Sequence, residues 1–162
     1  MTDTKIRDYD GQDADNLNRI AVAAFEQFQG HYQDWPAMRA GLAKTSDLNA
    51  IGELIVVECE GQLAGGVAYV GPNRPKAAFF DQAWPVIRML VVDPAFRDKG
   101  LGRALSMECF ARAKRDGSPV IALHTSPIMT IALAMYLRMG FVRVADAPPI
   151  FGVEYSVYTK AL

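Results

Sequence analysis

The sequence predicts an α/β domain built on a mixed sheet of about seven strands and about four helices, and three observations carry that reading. Apolar residues recur at steps of three and four in the first quarter of the chain, then give way to alternating or continuous β-rich runs from Glu53 onward. Two such runs flank a tight Glu60-Gly61 turn, which reads as an antiparallel hairpin. From Val86 to the end strands alternate with helices, and that order implies parallel pairing in the second half.

Each element has its own signal. Thr4 to Tyr9 alternates weakly and reads as a short strand. Asp13 to Gln29 is predicted as a helix, because Leu17, Ile20, Ala21, Ala24, Phe25 and Phe28 line one stripe, acids open it and Gly30 closes it. Trp35 to Lys44 follows as a second helix with Pro36 in its first turn. Glu53 to Glu60 and Gln62 to Val70 form the hairpin, and the proline-bearing stretch Gly71 to Trp84 reads as a loop. Val86 to Asp93 is a strand stopped by Pro94. Leu101 to Asp116 is a helix with Leu101, Ala104, Leu105 and Cys109 on one stripe and Gly117 as its cap. Val120 to His124 is a short buried strand. Ile128 to Met139 is a helix apolar almost all round, hence expected to be buried. Phe141 to Ala145 and Val153 to Leu162 close the chain as strands, with a turn expected at Pro148-Pro149.

Composition narrows the function classes. At 162 residues and 51% hydrophobic, residues 1–162 suit a single domain with an ordinary core. Seventeen basic residues against eighteen acidic ones argue against a nucleic-acid binder that works by global charge. The longest apolar stretch, Pro127 to Leu137, is too short to span a membrane, and the polar start shows no signal peptide. A cytoplasmic location is the expectation. Cys59 and Cys109 have no partners at metal or redox spacing, so no metal is expected.

Chemistry concentrates in Leu90 to Leu105, L-V-V-D-P-A-F-R-D-K-G-L-G-R-A-L. The order is strand, short loop, two glycines, helix. Gly100 and Gly102 admit backbone close to a ligand, and the first helical turn offers unpaired N–H groups to a phosphate. Arg97, Lys99 and Arg103 outweigh Asp98 there. A P-loop would need lysine and Ser/Thr after its second glycine, and a dinucleotide fingerprint would need a small residue where Leu105 stands. Neither pattern fits.

The R-x-x-G-x-G of Arg97 to Gly102, after L-V-V-D-P, resembles the acyl-CoA pyrophosphate loop of the GNAT superfamily of N-acetyltransferases. A second block agrees, A-x-x-x-Y-x-x-x-G-F at Ala132 to Phe141. The resemblance implies a largely antiparallel sheet with a splayed parallel pair in the middle, and acetyl-CoA as cosubstrate. It implies that Leu90, Val91 and Val92 hold the pantetheine arm through their backbone, with the Leu90 N–H polarising the thioester carbonyl. It also implies that Asp98, Lys99, Gly100, Leu101, Gly102 and Arg103 hold the pyrophosphate through N–H groups, with Arg97 shaping the loop.

Tyr136 matches the family tyrosine that protonates the departing sulfur; a phenol with a pKa near 10 carries its proton at neutral pH. The base stays open between His124, at the end of its strand, and a water chain from Glu53 or Glu58. His31, in an aromatic segment, reads as part of the acceptor pocket or the surface. One departure is Met129, where many members carry an asparagine that contacts the arm; Thr125 or Ser126 is the substitute donor.

The expected activity is transfer of an acetyl group from acetyl-CoA to a primary amine of a small molecule, peptide or protein N-terminus, by direct attack in a ternary complex. The alternative is a non-catalytic acyl-CoA-binding regulatory domain. Aromatics in Phe25 to Trp35, Pro72 to Trp84 and Ala147 to Phe151 suit either an acceptor pocket or a homodimer contact.

Overall fold

The computed structural model describes residues 3–162, which form one seven-stranded sheet with helices on both faces. In chain order the elements are β1 (Thr4–Asp8), α1 (Ala14–Phe25), α2 (Trp35–Leu42), β2 (Glu53–Cys59), β3 (Gln62–Val70), β4 (Val86–Val92), α3 (Leu101–Arg115), β5 (Val120–Thr125), α4 (Thr130–Arg138), β6 (Val142–Ile150) and β7 (Val153–Ala161). Across the sheet they lie β1-β2-β3-β4-β5-β7-β6. Among the described residues only β4 and β5 are parallel neighbours. The wider parallel region expected from strand–helix alternation does not form, because β7 inserts between β5 and β6 and runs antiparallel to both.

The two-residue alternation of β2 sorts the core into layers. Leu54 and Val56 face α1, against Leu17, Ile20 and Ala21. Ile55, Val57 and Cys59 face α3, against Leu101, Leu105 and Cys109. A third cluster covers the start of β4 and the strands β5 and β7 on the α1 side; it includes Tyr32, Phe80, Val86, Ala122, Tyr155 and Val157. The β2–β3 hairpin turns through Glu60 (φ 53°) and Gly61 (φ 79°), the paired left-handed conformation that suits a two-residue loop. In β3, a Cβ at Gly65 would stand 2.5 Å from the Val91 carbonyl oxygen, so glycine is what lets β4 approach so closely.

β4 and β5 touch at a single register pair, Val86 with Ala122, where the Ala122 N–H donates to the Pro85 carbonyl at 3.0 Å. Beyond that pair the strands diverge. The cause lies in β4: its ladder with β3 slips between Gly66 and Ala68, and Met89 takes a left-handed φ of 53°. A bulge of this kind bends its strand and sharpens the twist, which carries the end of β4 away from β5.

Three local expectations change. α1 stops at Phe25 and continues as a 3-10 segment, Glu26–His31; the tighter winding sets Phe28 edge-on to Phe25, with ring centroids 6.0 Å apart. α4 is not buried all round: Ile131 is 82% exposed and Leu137 51%, while Tyr136 turns inward. β6 runs straight through Pro148 and Pro149, and the turn comes at Phe151-Gly152. β6 is the edge strand and its pairing with β7 is irregular between Ala147 and Ile150, the setting in which a missing N–H is tolerated.

Candidate active site

The gap between β4 and β5 is lined by backbone. The Asp93 N–H donates to the Ala64 carbonyl at 2.7 Å, and the Val91 carbonyl points at Gly65, so both residues spend their polar backbone on β3. Because peptide directions alternate along a strand, Leu90 and Val92 turn their N–H and C=O groups toward the gap. No strand pairs with them there. By the same alternation the Val91 backbone turns to β3, and the edge toward the gap belongs to its two neighbours.

The gap leads directly to a helix start. The Asp93 carboxylate accepts from the Ala95 N–H at 2.9 Å and pairs with Arg19 at 3.2 Å, which fixes the turn after β4. Arg97, Asp98, Lys99 and Gly100 are exposed, with Asp98 and Gly100 at φ 62° and 74°. α3 has no side-chain cap, and its first intrahelical bond runs from the Ala104 N–H to the Gly100 carbonyl at 3.0 Å. The N–H groups of Leu101, Gly102 and Arg103 precede that bond and have no helical partner. A Cβ on Gly102 would lie 3.7 Å from Met135 Sδ and 3.9 Å from Leu90 Cδ2. The open strand edge, the uncapped helix end and α4 thus meet at one place.

Tyr136 is the next residue after Met135 on α4. It packs in the α3-side core with its ring 5.6 Å from Phe141, and burial, followed by the nearby Cys109 thiol, holds its hydroxyl well above the usual phenol range. His124 lies across the sheet. Its ring is 5.2 Å from Phe79, 5.7 Å from Phe80 and 5.2 Å from Tyr155, all on the α1 side. Burial, and then the charge of Arg88, push its pKa down to about 4. Among the described residues its buried Nδ1 has no hydrogen-bond partner. The two residues expected to work together sit on opposite faces of the sheet, with the gap between them.

Residues 14–141 match the Acetyltransferase (GNAT) family. The chain belongs to that family. It is 27% identical over 141 residues to a mycothiol acetyltransferase of Cellulomonas flavigena, in an alignment covering 83% of this chain but 39% of that protein. The chain thus spans well under half the length of this curated relative. Its fold resembles a GCN5-related N-acetyltransferase structure from Rhodopseudomonas palustris, with a TM-score of 0.77, 21% identity and coverage of 98% and 95% of the two chains. It also resembles the PaiA N-acetyltransferase of Thermoplasma acidophilum, solved in complex with coenzyme A, with a TM-score of 0.72, 15% identity and coverage of 99% of each chain.

Within this GNAT fold the other expected residues find different places. Glu53 is held by Arg112 and Arg115, each at 2.8 Å, at the far end of α3 from the loop, and Arg115 first holds its carboxyl below the usual range. Glu58 pairs with Arg7 of β1. Neither carboxylate faces the gap. The Thr125 hydroxyl turns to Met129 Sδ at 3.7 Å and the Ser126 hydroxyl accepts from the Ile128 N–H at 3.4 Å, so both are engaged in the turn before α4. His31 is exposed, and its neighbour Tyr32 is the one buried, its hydroxyl 2.6 Å from that of Tyr155.

Arg88 escaped the sequence reading. It is the one charge inside the apolar run V-I-R-M-L-V-V, and a charge at a half-buried strand position is the informative kind of exception. A surface hollow lined by Glu53, Tyr69, Arg74, Arg115 and Asp116 lies at the C-terminal end of α3, a helix length away from the gap.

Proposed function

We propose that this GNAT chain is an acetyl-CoA-dependent N-acetyltransferase that acetylates a primary amine by direct attack. One observation carries the proposal: the unpaired backbone of Leu90 and Val92 ends at an uncapped helix, so a thioester arm has an edge to lie along and its pyrophosphate a set of N–H groups to meet.

In that reading the Leu90 N–H donates to the thioester carbonyl oxygen and stabilises the charge that develops on it. The acceptor nitrogen, once neutral, forms the C–N bond. The C–S bond breaks, and the Tyr136 hydroxyl gives its proton to the departing sulfur. A raised phenol pKa keeps that proton in place until the thiolate, a stronger base than a thioester sulfur, develops. His124, neutral above about pH 4, has a free acceptor nitrogen for the amine proton, directly or through water. A conjugate acid that strong makes a weak base, so the rise of rate with pH above 7 follows deprotonation of the amine itself.

No helix among the described residues is long and apolar enough to cross a membrane. The free, buried thiols of Cys59 and Cys109 support a cytoplasmic setting for this reading, and the exposed apolar residues Ile131, Val142 and Val144 support a homodimer.

The test is thermal unfolding with saturating acetyl-CoA, ATP or NADH, followed by an amine screen. A ligand at 100 times its Kd stabilises by about 2.7 kcal/mol, a shift of about 5–10 °C at this size. A shift with acetyl-CoA alone, followed by acetylated product, bears the proposal out; a larger shift with ATP or NADH overturns it. Met129 at the position of the family asparagine favours a second reading, a non-catalytic acyl-CoA-binding domain. Tight acetyl-CoA binding without transfer to any amine would select it.

A further inference from the structure

We infer that Arg88 is the carboxylate receptor of the acceptor site, and that the amine acetylated is an amino acid with an apolar side chain. The inference rests on the proposed acetyl transfer and names the substrate class of that same site.

The placement comes from the sheet register. Val86 and Ala122 are the last pair that β4 and β5 share. Arg88 stands two residues beyond the first and His124 two residues beyond the second. Two-residue spacing returns each to the face of its predecessor, and both predecessors belong to the aromatic cluster on the α1 side. Arg88 and His124 therefore flank the first step of the opening, on the face away from α3 and Tyr136. If a thioester arm lies along Leu90 and Val92 with its phosphates at α3, the acceptor must approach from the Arg88 side.

The chemistry of that side is lopsided. Arg88 is half-buried, and burial alone shifts it; among the described residues no carboxylate pairs with it and no group accepts its hydrogen bonds. A guanidinium partly withdrawn from water without a counter-charge is less well solvated than a free one, and an anionic ligand would make up the difference. Around it stand His124, whose Nδ1 is also without a partner, and the buried hydroxyl pair of Tyr32 and Tyr155. That pair consumes one of its two protons and leaves the other to donate. The remaining wall is apolar: Phe79, Phe80, Trp84 and Met129.

A cation and a spare hydroxyl proton ask for an anion. The planar five-donor fork of arginine matches a carboxylate in two parallel hydrogen bonds. The aromatic wall asks for an apolar body attached to it. Arg88 and Leu90 are two residues apart on β4, on either side of the Met89 bulge, close enough for the amine and carboxylate of one small molecule to meet both. An amino acid with an apolar side chain satisfies all three demands.

The experiment uses three ligand sets: apolar amino acids led by phenylalanine, their amides, and the matching amines without the carboxyl group, led by 2-phenylethylamine. Binding to the CoA-saturated protein is measured by calorimetry, and acetylation by kcat/KM, for the wild type, Arg88→Met and Arg88→Lys. The wild type should prefer phenylalanine over its amide by about 30-fold or more, a ranking that needs no variant. Arg88→Met should remove that preference while changing 2-phenylethylamine less than about threefold, and Arg88→Lys should restore part of it.

Equal treatment of all three sets by the wild type overturns the inference and leaves N-acetyl transfer standing. An equal loss across all sets in Arg88→Met, with a lowered melting temperature, assigns the residue to the fold and also overturns it. Carboxylate-dependent binding without acetyl transfer supports Arg88 as the receptor and sinks the catalytic proposal instead. Absence of both binding and transfer overturns the inference.

Discussion

The two faces of the splayed sheet are built by different means. On the α3 side the polar groups offered to a ligand are backbone: the edge of Leu90 and Val92 and the free N–H groups at the start of α3. On the α1 side they are side chains, Arg88, His124, Tyr32 and Tyr155, set in an aromatic wall. Backbone is the same in every protein, so the first face suits a ligand that does not vary. Side chains differ from chain to chain, and the second face is where, in the proposed reading, one acceptor would be told from another.

The comparison can be broken at several points. The largest effect is expected at Tyr136, the side chain proposed as the acid on the α3 face. Tyr136→Phe should lower kcat by roughly 10²–10⁴-fold with acetyl-CoA affinity unchanged in a direct titration. An unaltered kcat would remove the tyrosine as the acid and leave that face purely a binding surface.

His124 gives the next largest effect, and it reads stability rather than rate. Its imidazole ordinarily titrates near 6.5 and here at about 4. Between those values the unfolded chain binds more protons than the folded one, so stability is lost as pH falls from about 6.5 to about 4. The loss is about 3 kcal/mol for this one group. Urea unfolding at pH 7 and pH 4.5 should show a smaller difference for His124→Gln than for the wild type; identical differences would mean the ring is not held neutral by its burial.

Gly102→Asp separates binding from stability on the α3 face. The side chain has room, since the nearest atom to its Cβ is 3.7 Å away, and an acid in the first helical turn favours the helix by about 0.3–1 kcal/mol. The melting temperature should hold or rise while acetyl-CoA affinity falls about tenfold or more through charge repulsion. Unchanged affinity would mean that the phosphates do not meet this turn. The smallest effect is expected at Cys109, whose thiol burial pushes up to about 12. Cys109→Ala should keep kcat within about twofold; loss of activity would argue for an acyl-enzyme and against direct attack.

The contrast between the faces also explains what the sequence could show. The loop, the glycines and the strand before them are contiguous from Leu90 to Arg103, so a spacing pattern exposes them. The second face gathers Tyr32, Phe80, Arg88, His124 and Tyr155 from five segments that only the strand order β4-β5-β7 brings together. That order was itself hidden, because strand–helix alternation cannot reveal that β7 would insert beside β5. Pro148-Pro149 looked like a turn because a sequence does not announce which strand is the edge. The α4 stripe looked buried because apolar composition does not say whether another layer covers it; Ile131 lies open. The sequence likewise does not show that Glu53 and Glu58 are each paired with arginine.

The bulge at Met89 has a mechanical consequence. With β4 and β5 joined at one register pair, the sheet behaves as two plates, β1 to β4 and β5 to β6, meeting at a narrow seam. A flexible arm laid along Leu90 and Val92 would supply rungs that the seam lacks and splint the plates together. Amide hydrogens at the end of β4 and along β5 would then exchange more slowly with the arm in place, and the acceptor wall, carried partly on each plate, would be stiff only when the acyl donor is already bound.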